Sequence, residues 1–356
     1  MTRSESYKHS ASELQTSTGA PPLGTGAGRH GILRGYLFIA LATLFWGISA
    51  ALGRAVFTGR LVLGAGEMKL IEPLILAQSR TTVSFLVLLP ILLIRRGSTG
   101  MRMSWNELGQ CALLGTLGMA ASNYTYYLAI QQTTVATAII LQYTAPVFVL
   151  LYMIASRQQR ATTQRVSGVV LSVLGCVFAI GVVTASGNFP WLGLSSRDVR
   201  FNTLGVTAAL LAAVAFSFYN VFARHLVQRH DRWNVLLYAL MGAAVFWAVV
   251  NPPWRVLAAQ YTQAQWNFLA LFAVTSVLIP FSLYFTGLEY LDPTRAIVTS
   301  CLEPVFAILI AAVMLGEVVG PLQVVGIVVT LTATVLVQLP ERRKEKEAAV
   351  LIEPIE

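Results

Sequence analysis

The stretch AIVTSCLEPVFAILIAAVMLGE, residues 296–317, decides how this chain is read. From Ala296 to Leu315 it is an apolar run carrying one carboxylate, Glu303. About 20 consecutive apolar residues are what an α-helix needs to cross the hydrocarbon core of a bilayer. An acid in the middle of such a helix costs about 2.5–3.5 kcal/mol on insertion scales, so it faces a polar cavity or a partner. Pro304 follows it, and a proline inside a helix leaves the carbonyl one turn back without its amide donor. A carboxylate beside a broken hydrogen-bond ladder can bind an amine or carry a proton. The structural alternative is a protonated Glu303 bonded to a neighbouring helix.

The rest of the chain extends that pattern. Of 356 residues, 56% are hydrophobic and 12% charged, against about 45–50% and about 25% in ordinary soluble domains. Mean hydropathy is +0.66. A soluble enzyme or a nucleic-acid-binding domain is therefore excluded as the default. The alternating ten-residue segments of an outer-membrane barrel are absent as well. Applying the 20-residue rule predicts ten spans, at about 34–57, 73–95, 108–130, 134–155, 164–185, 203–226, 234–251, 266–288, 293–315 and 320–339. The expected fold is an all-α integral membrane protein of ten transmembrane helices. Residues 1–31 are polar and read as a disordered tail without the apolar core of a secretory signal. Residues 340–356 read as a charged tail. Cys111, Cys176 and Cys301 all fall inside apolar runs without metal-ligand spacing, and read as small residues filling helix contacts.

The net charge of +9 could suggest a polyanionic partner. Its distribution points instead to topology. With both termini in the cytoplasm, 18 of the 25 basic residues fall on the inner side, which is the side that short loops rich in Lys and Arg adopt. The two halves also resemble each other. A shift of 158 residues superposes Tyr126 on Tyr284, Ala138 on Ala296, Pro146-Val147-Phe148 on Pro304-Val305-Phe306 and Gly168 on Gly326. A shift of 170 superposes Gly35 on Gly205 and Arg54 on Arg224, the difference falling in the outer loop around 58–72. Each half holds five spans, so the second enters the membrane inverted. The expected organisation is a tail at 1–31, a first five-helix repeat at 32–186, a periplasmic linker at 187–201, a second repeat at 202–339 and a tail at 340–356. Inverted repeats suit secondary transporters that bind their solute near the bilayer midplane at the repeat interface.

Phe45-Trp46-Gly47 in the first span, and Ala296 to Glu317 followed by Gln323 and Gly326, resemble the signature of the EamA family within the drug/metabolite transporter superfamily. The resemblance covers about 34–339. In the first half Ala145-Pro146 replaces the Glu-Pro form, and Gln158-Gln159 stand where Gly-Glu would follow, so a symmetric carboxylate pair is not expected. The resemblance implies ten helices, cytoplasmic termini and movement, often export, of amino acids, other metabolites, drugs or nucleotide sugars.

The candidate site begins with Glu303, for substrate or proton coupling. Arg80, about seven residues into the second span, can pair with a substrate carboxylate or with Glu303; snorkelling to the outer headgroups is its structural alternative. Trp46 and Ser49, then Asn123, Tyr124 and Tyr127, then Gln142 and Tyr143 form a polar and aromatic set in the first half. Ser217, Tyr219, Asn220, Ser282 and Tyr284 continue it in the second. As a group they suit a pocket for an amphipathic or aromatic ligand; singly, each also suits interhelical hydrogen bonding. Arg54 and Arg224 read as helix-end anchors, and Glu317 as an interfacial or capping residue. Glu289, Asp292 and Arg295 read as a solvated cluster in an inner loop, or as a gate.

No Gly-rich phosphate loop ending in Gly-Lys-Ser/Thr is present, so no ATP is expected on this chain. The four histidines lie in tails or loops, which disfavours a zinc site or a Ser/His hydrolase. Neither cofactor nor metal nor nucleic-acid partner is expected; the partners are a small-molecule substrate, the lipid bilayer and protons. The reading is a secondary transporter in a bacterial inner membrane, not an enzyme, exporting small metabolites, with aromatic amino acids favoured, by alternating access. Its rivals are an exporter of drugs, amines or phosphorylated metabolites, and a membrane sensor or lipid-handling protein without transport.

Overall fold

The computed structural model describes residues 29–57, 71–132, 138, 141–180, 202–315 and 320–338. The expected tails, the outer loop, the linker and Glu317 lie outside the described residues, as does the side chain of Arg54. Among the described residues all regular structure is helical. In chain order the helices are α1 (Arg29–Phe57), α2 (Pro73–Arg96), α3 (Trp105–Leu113), α4 (Ala121–Gln132), α5 (Ala145–Ala155), α6 (Thr163–Ile180) and α7 (Thr203–Val227). They continue with α8 (Arg232–Val250), α9 (Pro253–Ala258), α10 (Gln263–Ala273), α11 (Ile279–Leu288), α12 (Pro293–Ser300), α13 (Leu302–Leu315) and α14 (Pro321–Gln338). Among the described residues, six helical stretches are long and apolar enough to cross a membrane: His30–Leu52, Leu74–Arg96, Thr203–Val227, Arg232–Val250, Gln263–Leu288 and Pro293–Met314. Three shorter apolar helices accompany them, within 145–155, 163–179 and 321–337.

Local chemistry sets the helix ends. Pro73 opens α2, where its missing N–H costs nothing. Arg95 and Arg96 close it against the negative end of the helix dipole. Gly97 then turns the chain at φ +66°, a conformation that glycine adopts without strain. A capping box opens α3: Ser104 N–H donates to Glu107 Oε2 at 2.7 Å and Glu107 N–H to Ser104 Oγ at 3.4 Å. A second opens α10, with Thr262 N–H donating to Gln265 Oε1 at 2.9 Å and Gln265 N–H to Thr262 Oγ1 at 3.3 Å. The two boxes stand 158 residues apart.

The same spacing recurs further along. A π-helical segment, Leu114–Ala120, joins α3 to α4, and another, Val274–Leu278, joins α10 to α11. The chain turns at Tyr143–Thr144 before α5 and at Cys301 between α12 and α13. The expected interruption at Pro304 is thus a restart. The helix stops at Ser300, begins again at Leu302, and the proline lies in a new first turn where its ring is tolerated.

Packing follows a matching pattern. Helix α1 lies against α11 and α13, and α7 against α4 and α5; α2 packs on α8, and α6 on α14. Small residues permit the closest approaches. A Cβ on Gly326 would overlap the Ala179 backbone, and one on Gly168 the Val337 side chain, so α6 and α14 meet almost backbone to backbone. Trp247, Tyr219, Tyr284 and Phe285 are the bulkiest side chains fully enclosed. Outward, Leu33, Ile94, Val249 and Val313 are well exposed. In water that apolar exterior would be an aggregation liability, whereas in a bilayer hydrocarbon covers it and the helices satisfy their own backbones.

Candidate functional site

The candidate residues divide into two environments. Trp46, Ser49, Tyr219, Asn220 and Tyr284 are buried, on α1, α7 and α11. Arg80, Asn123, Tyr124, Tyr127, Gln142, Tyr143 and Glu303 are half-buried, on α2, α4, the segment before α5, and α13.

The buried group is a closed core. The Trp46 ring stands edge-on to Phe281 and tilted to Tyr284, both at 5.3 Å. Tyr219 stacks on Tyr284 and meets Phe281 edge-on. The Tyr284 hydroxyl donates to Asn220 Oδ1, whose amide donates to the Phe216 carbonyl at 2.7 Å. Ser49 donates to the Phe45 carbonyl of its own helix. Ser217 ties α7 to the Ala145 carbonyl at 3.0 Å, and Ser282 bonds back to Leu278. Apart from the Tyr219 hydroxyl, which is buried without a partner, the polar groups named here are bonded within the protein.

The half-buried group gathers around Glu303. Tyr143, in the turn of the first half, lies beside the Glu303 carboxyl, at the start of α13 in the second. The Arg80 guanidinium bears electrostatically on the same carboxyl, and the buried Tyr126 hydroxyl lies within range of both. Neither Arg80 nor Glu303 is in a direct ion pair among the described residues. Cys176 of α6 and Cys301 border the cluster, the Cys176 thiol donating to the Cys301 carbonyl at 3.8 Å. Asn123 bonds to the Met119 carbonyl of its own helix. Tyr124 packs against Phe246 and Trp247, and Tyr127 against Tyr126. Gln142 precedes the Tyr143 turn. A separate cavity of about 390 Å³ between α1, the Cys301 turn and α14 is lined by Leu33, Leu37, Ala40 and Leu302 among others; it is apolar and holds neither charge.

Polar bonds tie one end of the bundle shut. Arg96 pairs with Asp231 at 2.5 Å, Arg232 with Glu289 at 2.8 Å and Arg295 with Asp292 at 3.4 Å. Gln159 links Asp292 at 3.0 Å to the Thr294 hydroxyl at 2.8 Å. Arg224 donates to the Leu288 carbonyl, fastening α7 to the end of α11. His230 stands 3.5 Å from Glu107, whose carboxyl is held below its ordinary pKa chiefly by the Ser104 N–H. Glu289 and Asp292, expected in a solvated cluster or a gate, are thus partly shielded and cross-linked between helices.

Sequence reasoning did not single out Tyr126 or the Cys176–Cys301 contact. Tyr126 was legible as the repeat partner of Tyr284, but a repeat match does not tell which tyrosine meets the charge.

The comparisons with known proteins bear on this bundle directly. The sequence profile of the EamA-like transporter family matches residues 33–181 and 203–339. This chain belongs to the EamA-like transporter family. Among curated relatives, the threonine/homoserine exporter RhtA of Escherichia coli is 26% identical over 65% of this chain and 71% of its own. The inner membrane transporter YicL of Salmonella typhimurium is 22% identical over 66% and 75%. A transporter of Clostridium kluyveri is 21% identical over 85% and 92%. A solved crystal structure superposes with a TM-score of 0.67 at 20% identity, over 87% of this chain and 99% of the other; at that identity it shows a common fold. As an EamA-like protein with membrane-length helices, the chain is a multi-pass membrane protein of a transporter family, and its partners are a small-molecule substrate and the bilayer.

Proposed function

We propose that this EamA-like protein is a secondary transporter that exports small metabolites, amino acids foremost and aromatic ones favoured, by alternating access between two inverted five-helix halves. Ten spans place both termini in the cytoplasm of a bacterial cell. The recurrence at 158 residues of capping box, π segment and helix turn supports the inverted repeat. So does the exchange symmetry of the packing, in which α1 on α11 answers α7 on α4. The observation that carries the reading is a pair of membrane-embedded charges. Arg80 from the first half and Glu303 from the second are each half-buried and in no direct ion pair among the described residues, which leaves opposite charges available to a solute. Bonds close the proposed cytoplasmic end, the arrangement of a state shut toward the cytoplasm. Glu303 is the group placed to couple transport to protons, and no ATP is required.

RhtA carries threonine and homoserine by its name, so small hydroxylated amino acids join the aromatic ones as first candidates. The rival solutes fit less well. A phosphorylated metabolite calls for two or more cations, and among the described residues Arg80 is the cation that bears on Glu303. A sensor or lipid-handling role leaves the charge pair without a task.

The test is uptake into proteoliposomes of labelled amino acids, sugars and amines, with and without a pH gradient. Amino acids should cross, faster with the gradient. With orientation controlled, failure of every solute to cross would overturn the transporter reading.

A further inference from the structure

Around Arg80 the hydrogen-bond accounting does not close. Its Nη2 donates to the Ser276 carbonyl at 3.3 Å, and the guanidinium carbon lies 5.6 Å from the centre of the Phe272 ring. Its Nε is buried with no partner. Ser276 is wholly enclosed, and its Oγ also has no partner. A buried polar atom left unsatisfied costs about 1–3 kcal/mol, more for a charged group. Two such donors on residues already in contact call for a single acceptor.

The support is rigid. Ser276 sits within the π segment Val274–Leu278, a device that recurs at functional sites. One turn along α2, Ser84 Oγ donates to the Ala273 carbonyl at 3.1 Å and pins α2 to α10. The Phe272 ring flanks the guanidinium and leaves its edge to take an anion. No protein carboxylate supplies that anion among the described residues, since Arg80 is in no ion pair there.

We propose that Arg80 Nε and Ser276 Oγ form the docking site for a carboxylate of the carried solute. One carboxylate oxygen accepts from Nε and the other from Oγ, while Nη2 stays on the Ser276 carbonyl. The solute class is then one that carries a carboxylate rather than a plain amine, and Ser276 is a specificity residue. The inference rests on the transporter reading.

The full-length protein in proteoliposomes provides the test. Counterflow of labelled L-threonine and L-phenylalanine is competed with the unlabelled acids, their methyl esters and the matching amino alcohols. The acids should compete at least tenfold better than either neutral series, a comparison that needs no substitution. Ser276→Ala should cut that preference several-fold while leaving competition by the esters unchanged, and Arg80→Lys should cut it further. If esters and alcohols compete as well as acids, the docking site is wrong and transport stands. If Ser276→Ala weakens acids and esters equally, the serine is structural and the proposal falls. If no panel member exchanges, the transporter reading fails and takes this inference with it.

Discussion

At Glu303 the carboxyl faces a tyrosine from the other half of the chain and feels an arginine that it does not touch. A titratable group in that position can exchange a proton for a solute only if its charge changes during the cycle. Glu303→Gln keeps size and hydrogen bonding while removing titration. Transport driven by a pH gradient should be lost and solute exchange without a gradient retained, both read by proteoliposome counterflow; unchanged pH dependence would remove Glu303 from the coupling role. Glu303 and Arg80 were legible in the sequence because a charge inside an apolar run is costly and must have a reason. The aromatic residues were not sortable in the same way. Trp46, Tyr219 and Tyr284 carry large apolar bodies with one polar tip, which fit a closed core as well as a pocket wall. The structure puts them in the core, where Asn220 Oδ1 accepts a hydrogen bond from the Tyr284 hydroxyl. Tyr126, the counterpart of Tyr284 by repeat, lies within electrostatic range of Glu303 and Arg80 instead.

Among the elements, six of the expected spans could be read from hydropathy, and an interruption near Pro304, though not the restart at Leu302, from proline chemistry. The two capping boxes were also written in the sequence, as Ser104-x-x-Glu107 and Thr262-x-x-Gln265. The π segments were not, because widening a helical turn by one residue leaves no compositional mark; only the structure shows them at matching places. Glycine in an apolar helix signals close packing without naming the partner. The partners are now specific, and they make a test. Gly326→Ala puts a methyl group into the Ala179 backbone, whereas a Cβ on Gly109 in α3 meets nothing within 4 Å. Overpacking of that kind costs about 1–3 kcal/mol. Gly326→Ala should therefore lower the melting temperature in detergent, and Gly109→Ala should not. Equal effects would mean that α6 and α14 stand further apart than the structure places them.

For the whole molecule, alternating access requires the closed end to open, and the bonds there set how readily it does. Arg96–Asp231 and Arg232–Glu289 each join separate stretches of chain, with side chains about a quarter to two-fifths exposed. Ion pairs so hydrated are worth about 0.2–1 kcal/mol. Between two conformations that difference shifts the population by up to about fivefold, which is enough to bias a cycle and too little to lock it. Removing one pair should favour the state open at that end, provided the pair breaks on opening, since an interaction present equally in both states shifts nothing. Cys301 is a built-in reporter. It lies in the turn between α12 and α13 and is 1% exposed in the closed form. In a Cys111→Ala, Cys176→Ala background, Glu289→Gln should raise the rate at which a small maleimide labels Cys301, by up to about fivefold. Adding Asp231→Asn should raise it again. Asp231 and Arg232 are adjacent in the chain, so the two increments should couple rather than simply multiply. A labelling rate that neither substitution moves would show that this end does not open by breaking these pairs, and would leave them as fixtures of the fold.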